Sequence, residues 1–279
     1  MSTVAIIQTV WFPPLGSRER LGVARRSLES WARFTGATLR LHIADDGSDA
    51  DLLDIHSAPW PRATRTVTPR LGCGGSLNAG LHYVIEHEIA DLIFYGVDDW
   101  ELVEDLDLTP SIALLESGAA DIVRFGPTHP NLRGRVARSD IPGAEWSLLY
   151  DWDGGGYVFG WRPALYHRRL FDRFGYFAEG VAAIEAERIY NEHLFNRCPE
   201  TRPRVFHAPN CTLAGPFRHI DTVELGEDNP DVLTARYALP RERTLGDGCP
   251  ICGGKLRGNQ FAVACENIEK CGFGGLGRG

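Results

Sequence analysis

Three pairs of carboxylates and one set of thiols stand where they could do chemistry. Asp98 and Asp99 directly follow the apolar run Leu92–Val97, and Asp45 and Asp46 follow the run Leu39–Ala44. Carboxylates just past the end of a buried strand can hold a hard divalent cation or accept N–H groups from a ligand. A literal Asp-X-Asp occurs at Asp151–Asp153, ahead of Gly154–Gly156. Four of the seven cysteines, Cys249, Cys252, Cys265 and Cys271, crowd the tail with spacing C-x2-C-x12-C-x5-C. Four thiolates so spaced suit a structural, tetrahedral Zn2+.

The elements that must position these groups follow from apolar periodicity. Val4–Val10 is a continuous apolar run of strand length. Leu21–Phe34 places Leu21, Ala24, Leu28, Trp31 and Ala32 at helical spacing. Leu39–Ala44 reads as a strand, Ser76–Ala90 as a helix capped by Ser76 or Asn78, and Leu92–Val97 as a further strand. That order predicts an α/β fold with a mainly parallel sheet covered by helices. Parallel sheets bind ligands beyond the carboxyl ends of their strands, where both aspartate pairs fall. Pro163–Gly175 and Ala182–Arg197 read as helices, residues 221–245 as a linker, and the Gly-rich end as frayed.

Composition narrows the function classes. The chain has 279 residues, 24% charged, with net charge −8, which argues against general affinity for nucleic acid or an anionic membrane. Within residues 241–279, however, Lys and Arg outnumber Asp and Glu by two. No apolar run reaches the roughly 18 residues of a membrane span. The N-terminus lacks the basic start of a signal peptide and breaks at Pro13–Pro14, so the expected location is cytoplasmic.

Set in order, "VAIIQTV", "LHIADDGSDADLL", "RLGCGGSLNAGL" and "LIFYGVDDWEL" resemble the nucleotide-sugar half of glycosyltransferase family 2, which has the GT-A fold. The later "GGGYVFGWRPALYHRRLFDRFGYFAEG" and "EAERIYNEHLFNR" resemble its acceptor half. The resemblance implies domains at 1–105 (donor half) and 106–220 (acceptor half), ahead of the linker and a tail domain at 246–279. It also implies an inverting transfer of sugar from a nucleotide-diphosphate donor, uridine-linked by expectation, to an acceptor hydroxyl.

By the same resemblance, Asp45 or Asp46 hydrogen-bonds the nucleotide base, unless both merely cap the turn before Leu52. Arg70 and Asn78 suit ribose and phosphates, and Gly72, Gly74 and Gly75 suit close backbone approach or a plain turn. "YGVDDW" aligns with the family's Asp-X-Asp: Asp98 becomes the ligand of Mn2+ or Mg2+, Asp99 its acidic neighbour, and Gly96 stands where the first acid belongs. The alternative is a pair of solvated acids at a strand end. Asp151–Asp153 aligns with the acceptor loop instead. The general base falls on Glu185 or Glu187. Two residues apart, they cannot share a helix face, and the reading leans to Glu185. His207 or His219 could approach the metal, or be structural.

The tail resembles the zinc ribbons of type IA DNA topoisomerases, through the four cysteines with Pro250, Gly253, Gly254, Leu256, Phe261 and Phe273. Lys255, Arg257, Lys270, Phe261 and Phe273 could then contact single-stranded DNA, or the ribbon could stabilise the chain or dock a protein. Polysaccharide, protein or a hydroxylated DNA base all remain as acceptors. A non-catalytic binding module, with Gly96 marking a lost site, is the contrasting reading. A nucleotidyltransferase is a third, weakened by the missing Gly-rich basic loop near the N-terminus.

Overall fold

The apolar runs become strands because both of their faces are covered. The computed structural model describes residues 1–12, 17–125, 136–138, 140–142, 144, 146–148, 159–195, 203–208 and 216–220, and the strands at 256–259, 262–265 and 274–275. Strands β1 (Thr3–Val10), β2 (Thr38–Asp45), β3 (Thr64–Val67) and β4 (Leu92–Val97) pair in parallel in spatial order β3-β2-β1-β4. The chain continues through β5 (Trp100–Leu102), β6 (Ile122–Arg124), β7 (Val136–Arg138), β8 (Trp146–Leu148), β9 (Ala164–His167), β10 (Val205–His207) and β11 (Phe217–His219). Among the described residues the sheet extends past β4 as β9-β6-β10-β8-β7. It turns mixed there, because β9 runs antiparallel to both β4 and β6. β5 and β11 form a separate antiparallel pair.

Alternate residues of each central strand feed two cores. Val4, Ile6 and Val10 of β1 meet Leu21, Ala24 and Leu28 of helix α1 (Ser17–Ser30), Leu53 of α2 (Ala50–Ser57), and, further along the same core, Leu114 and Leu115 of the helix at Thr109–Glu116. Ala5 and Ile7 face the opposite way. They join Leu77, Leu81 and Val84 of α3 (Gly72–Glu86), and that core reaches Leu170 and Phe171 of the helix at Arg169–Phe174 and Tyr190 and Leu194 of the helix at Ala183–Phe195. We number the helix at Thr109–Glu116 α4, that at Arg169–Phe174 α5 and that at Ala183–Phe195 α6. The α/β fold class expected from the sequence is therefore present, with its parallel half at the N-terminus.

Some local readings change. Pro163–Gly175 is not one helix: Ala164, Leu165 and Tyr166 are buried and pair across β4 before α5 begins. Both sides of that segment are filled, which suits period two, and the helical spacing in it was coincidental. α3 starts at Gly72, so Ser76 and Asn78 lie inside it rather than capping it.

Gly96 is a packing position. A Cβ there would lie 2.6 Å from Trp31 Cζ2 and 2.7 Å from Cη2. Trp31, fully buried beyond the end of α1, also donates its indole N–H to Trp100 O at 3.2 Å. Ser27 Oγ donates to the same carbonyl at 2.7 Å.

The chain divides into two compact units, Met1–Ile220 and Asp221–Gly279. In the second, β12 (Leu256–Asn259), β13 (Ala262–Cys265) and β14 (Gly274–Gly275) form an antiparallel sheet in that order. Cys249, Cys252 and Cys271 lie outside the described residues, as do Asp151–Asp153 and residues 221–245; Cys265 is described only as the end of β13. Among the described residues no helix is long and apolar enough to cross a membrane.

Two stability predictions follow from this packing. Gly96→Ala should cost about 1–3 kcal/mol, since Trp31 cannot move within a close-packed core, and Gly96→Asp more, since its charge enters an apolar site. Urea unfolding measures both, and a wild-type midpoint for Gly96→Asp would contradict the packing. The second concerns acid. Burial holds His42 and His56 down to about 4, with His87 and Arg25 respectively adding to the shift. Their folded pKa lies below the ordinary 6.5, so the unfolded chain binds protons first. Stability should be full above pH 6.5 and fall towards pH 4, by on the order of 3 kcal/mol per histidine. His56→Gln should flatten the dependence of the urea midpoint on pH over that window.

Candidate functional site

A cavity of about 810 Å3 opens at the carboxyl ends of the parallel strands. Its walls include Thr9, Val10 and Trp11 at the end of β1, Asp46 after β2, and Val97, Asp98 and Asp99 after β4. Parallel strands end together at this edge, so the acids that terminate them converge.

Asp98 and Asp99 form the turn between β4 and β5, and Asp98 is only 2% exposed. Arg20 of α1 reaches Asp98 with both arms of its fork. Nε donates to Oδ2 at 3.0 Å and Nη2 donates to Oδ1. The same Nη2 lies 3.7 Å from Asp99 Oδ2. His219 of β11 holds Asp99 Oδ2 at 3.3 Å from its Nε2. Asp99 Oδ1 is buried with no hydrogen-bond partner among the described residues. Burial pushes the Asp99 carboxyl up, but the His219 hydrogen bond and the charges of His219 and Arg20 outweigh it and leave the group below its ordinary value.

The donor set at this turn is one of hard oxygens. Carboxylate oxygens suit Mg2+ or Mn2+, and Asp99 Oδ1 is a buried acceptor with capacity to spare. Asp98 has both oxygens on Arg20. A divalent ion about 4 Å from a guanidinium would meet repulsion of roughly 8 kcal/mol at an effective dielectric near 20. A guanidinium on both oxygens therefore weakens a cation at Asp98, and the oxygens fit a cation better once Arg20 withdraws. Among the described residues no three His, Cys, Asp or Glu are grouped as a metal site.

The first aspartate pair divides its work. Asp45 Oδ2 accepts the N–H groups of Gly47 at 3.0 Å and Ser48 at 2.8 Å, which closes its own turn, and Asp45 does not line the cavity. Asp46 does line it. Its Oδ1 accepts from Thr68 Oγ1 at 3.0 Å, and both its oxygens lie 3.1 Å from Gly72 N. Gly72 has φ +77°, and a Cβ there would stand 2.7 Å from Val181 O, so only glycine passes easily. Beside it, the Arg70 guanidinium lies 3.7 Å over the Trp11 ring, and both residues line the cavity. Asn78 is committed elsewhere. It donates to Phe177 O at 3.0 Å and Glu179 Oε1 at 2.8 Å, and accepts Phe177 N–H at 3.0 Å.

Of the two glutamates, Glu187 faces the cavity. It is 3% exposed, and its Oε2 accepts Trp161 N–H at 3.0 Å. Its Oε1 is buried with no hydrogen-bond partner among the described residues. Burial raises the Glu187 carboxyl above its ordinary value, against the opposing Trp161 N–H and Arg124 charge. One helical turn on, Asn191 fixes the Phe159 backbone by donating to its carbonyl at 2.8 Å and accepting its N–H at 2.7 Å. Glu185 lies on the surface, pairs with Arg188 at 2.6 Å and does not line the cavity; the hydrogen bond from Arg188 lowers its carboxyl. The one-face argument therefore holds, and the face selected is that of Glu187.

The structure thus brings together Asp46, Arg70, Asp98, Asp99, Glu187 and His219, and leaves Asp45, Asn78 and Glu185 apart. His207 is described only as part of β10. The sequence reading passed over Trp11, Arg20, Trp161 and Arg162, which also line the cavity. Trp11 could have been found, because it follows β1 directly. Arg20 could not, because its partner lies 78 positions away. Cys73 is in the wall too, where burial pushes its thiol up to about 11 and keeps it protonated.

No protein-family model matches the chain, and no curated protein matches it in sequence. Solved structures do resemble it in fold. The mannosyltransferase PcManGT of Pyrobaculum calidifontis, in complex with GDP-Man and Mn2+, superposes with TM-score 0.52 and 15% identity over 76% of this chain and 56% of that one. S. aureus TarS 1–349 gives TM-score 0.49 and 14% identity over 87% of this chain and 67% of that one. Its complex with UDP-GlcNAc gives TM-score 0.47 and 16% identity over 84% and 65%. The chain spans little more than half the length of the mannosyltransferase. At such identity the likeness concerns architecture, and the architecture is the α/β fold of GT-A glycosyltransferases.

Proposed function

We propose that the chain transfers a sugar from a nucleotide-diphosphate donor, UDP-linked in the leading form, to an acceptor hydroxyl with inversion. The observation that carries this reading is that one cavity at the carboxyl edge of the sheet holds both a buried acidic turn and a buried glutamate with an unpartnered oxygen. The first suits a phosphate-bound cation and the second suits proton removal.

Asp46 accepts an N–H of the nucleotide base, and Arg70 meets ribose or phosphate oxygens. Asp98 and Asp99 hold Mn2+ or Mg2+, which when bound supplies positive charge to the leaving diphosphate. Glu187, in preference to Glu185, takes the acceptor's proton on Oε1. The acceptor oxygen then attacks the anomeric carbon from the side opposite the diphosphate. The bond from that carbon to the diphosphate oxygen breaks, and a nucleoside diphosphate leaves with the bonding pair. The raised carboxyl of Glu187 suits a base working nearer neutral pH.

The acceptor is read as polysaccharide, protein or a hydroxylated DNA base. For the last, the base must be flipped out or single-stranded. The tail is read as holding Zn2+ through Cys249, Cys252, Cys265 and Cys271; their spacing and the antiparallel strands β12 to β14 support this. DNA contact rests on Lys255, Arg257, Lys270, Phe261 and Phe273 alone. The second reading, a non-catalytic module, is favoured by one observation: Trp31 fills the place of the missing acid at Gly96.

Nucleotide sugars screened with Mn2+ or Mg2+ should show metal-dependent release of the nucleoside diphosphate, with and without DNA carrying hydroxymethylated bases. Absence of release for every donor favours the module. Deleting residues 246–279 should abolish transfer to DNA and spare slow donor hydrolysis; equal transfer after deletion excludes the ribbon from DNA binding. Glu187→Gln should lower kcat by about 10²–10⁴ and remove the acid limb of the pH profile, whereas Glu185→Gln should change kcat less than about two-fold. The reverse pattern would move the base to Glu185.

A further inference from the structure

α1 carries two arginines that grip acids next to the Asp98–Asp99 turn, and they differ in one respect. Arg26 holds Glu101 through Nε at 3.0 Å and Nη2 at 2.9 Å, and Arg218 meets the same carboxylate. Neither Arg26 nor Glu101 lines the cavity, so that pair is a strut. Arg20 and Asp98 both line the cavity. Arg20 is 28% exposed along its side chain, so its head sits at the wall, while Asp98 is 2% exposed. The guanidinium fork that fits a carboxylate fits a phosphate equally well.

From this contrast, and resting on the nucleotide-sugar reading above, we propose that Arg20 is a diphosphate-binding residue held in reserve on Asp98. It leaves that carboxylate for the diphosphate when the nucleotide binds, and Asp98 becomes open to a divalent cation only then. A buried carboxylate cannot be left without a counter-charge. Departure of Arg20 must therefore be matched by arrival of another cation, and the diphosphate is what draws Arg20 away. Nucleotide and cation thus strengthen each other's binding, and the coupling is reciprocal. The empty protein binds the cation weakly because a guanidinium already stands in its place.

The experiment measures binding, not turnover. Mn2+ is titrated into the full chain and its free aquo signal followed by electron paramagnetic resonance, with and without UDP. UDP is titrated calorimetrically in the presence of EDTA, with GDP and dTDP as alternatives. The wild type should bind Mn2+ roughly ten-fold tighter with nucleotide present, and Arg20→Gln should gain roughly ten-fold in Mn2+ affinity without nucleotide while losing roughly ten-fold in metal-free UDP affinity. Arg20→Lys keeps the charge but not the fork, so it should lose UDP affinity with a smaller gain for Mn2+. Arg25→Gln, on the same helix with a surface partner at Glu29, should match the wild type in both. Circular dichroism melts check that each variant is folded. If Arg20→Gln binds Mn2+ and UDP as the wild type does, Arg20 is a strut like Arg26 and the proposal is overturned. If the wild type binds none of the three nucleotides with or without Mn2+, the nucleotide-sugar reading falls and takes this proposal with it.

Discussion

One side chain fixes the geometry on which the site depends. Trp31 fills the space beside Gly96 and hydrogen-bonds the carbonyl of Trp100, so it holds both flanks of the Asp98–Asp99 turn. The turn is short, and with its two ends pinned its carboxylates have little freedom. α1 ends just before Trp31, and near its start the same helix delivers Arg20 to Asp98. The burial of a single indole therefore sets the register between β4, α1 and β5, and with it the pairing of charge at the cavity wall. A hydrophobic contact is positioning polar chemistry, as expected where a close-packed interior transmits small displacements.

A second anchor works on the opposite wall. Glu187 and Asn191 sit on one face of α6 and bind the backbone of Trp161 and Phe159. Asn78 does the same between α3 and Phe177. These buried amides and carboxylates satisfy chain segments that have no sheet or helix of their own. They keep the irregular stretch around Trp161 close enough to the sheet edge to close the cavity. Asp46 adds a third tie, from the end of β2 to the start of α3 through Gly72. The cavity is thus bounded by ordinary fold interactions, and among these anchors Glu187 keeps one buried oxygen, Oε1, with no hydrogen-bond partner among the described residues.

Much of this was legible in the sequence, and the limits have physical causes. Strand runs that end in acids predicted the sheet edge, and Asp46, Asp98 and Asp99 stand there. The sequence pattern located the helix that carries the glutamates and the resemblance pointed to its acids, but periodicity could say only that Glu185 and Glu187 face different ways. Which one faces inward depends on the helix's rotation against Phe159 and Trp161, a tertiary fact. The strand Ala164–His167 was misread because its residues also fit a helical period, and only pairing with β4 selects the extended form. Asn78 looked like a cap or a ligand contact, since a polar residue near a glycine turn carries no mark of a partner 99 positions away. Arg20 was invisible for the same reason.

The contact between Trp31 and Gly96 also bears on how this sequence can change. A carboxylate at position 96 and an indole at position 31 exclude each other, so neither substitution can be read alone. Placing an acid at position 96 would need a smaller side chain at position 31, and removing the indole alone would leave a cavity beside the turn. The two positions form a coupled pair, and a relative with an acid at 96 should carry a smaller side chain at 31.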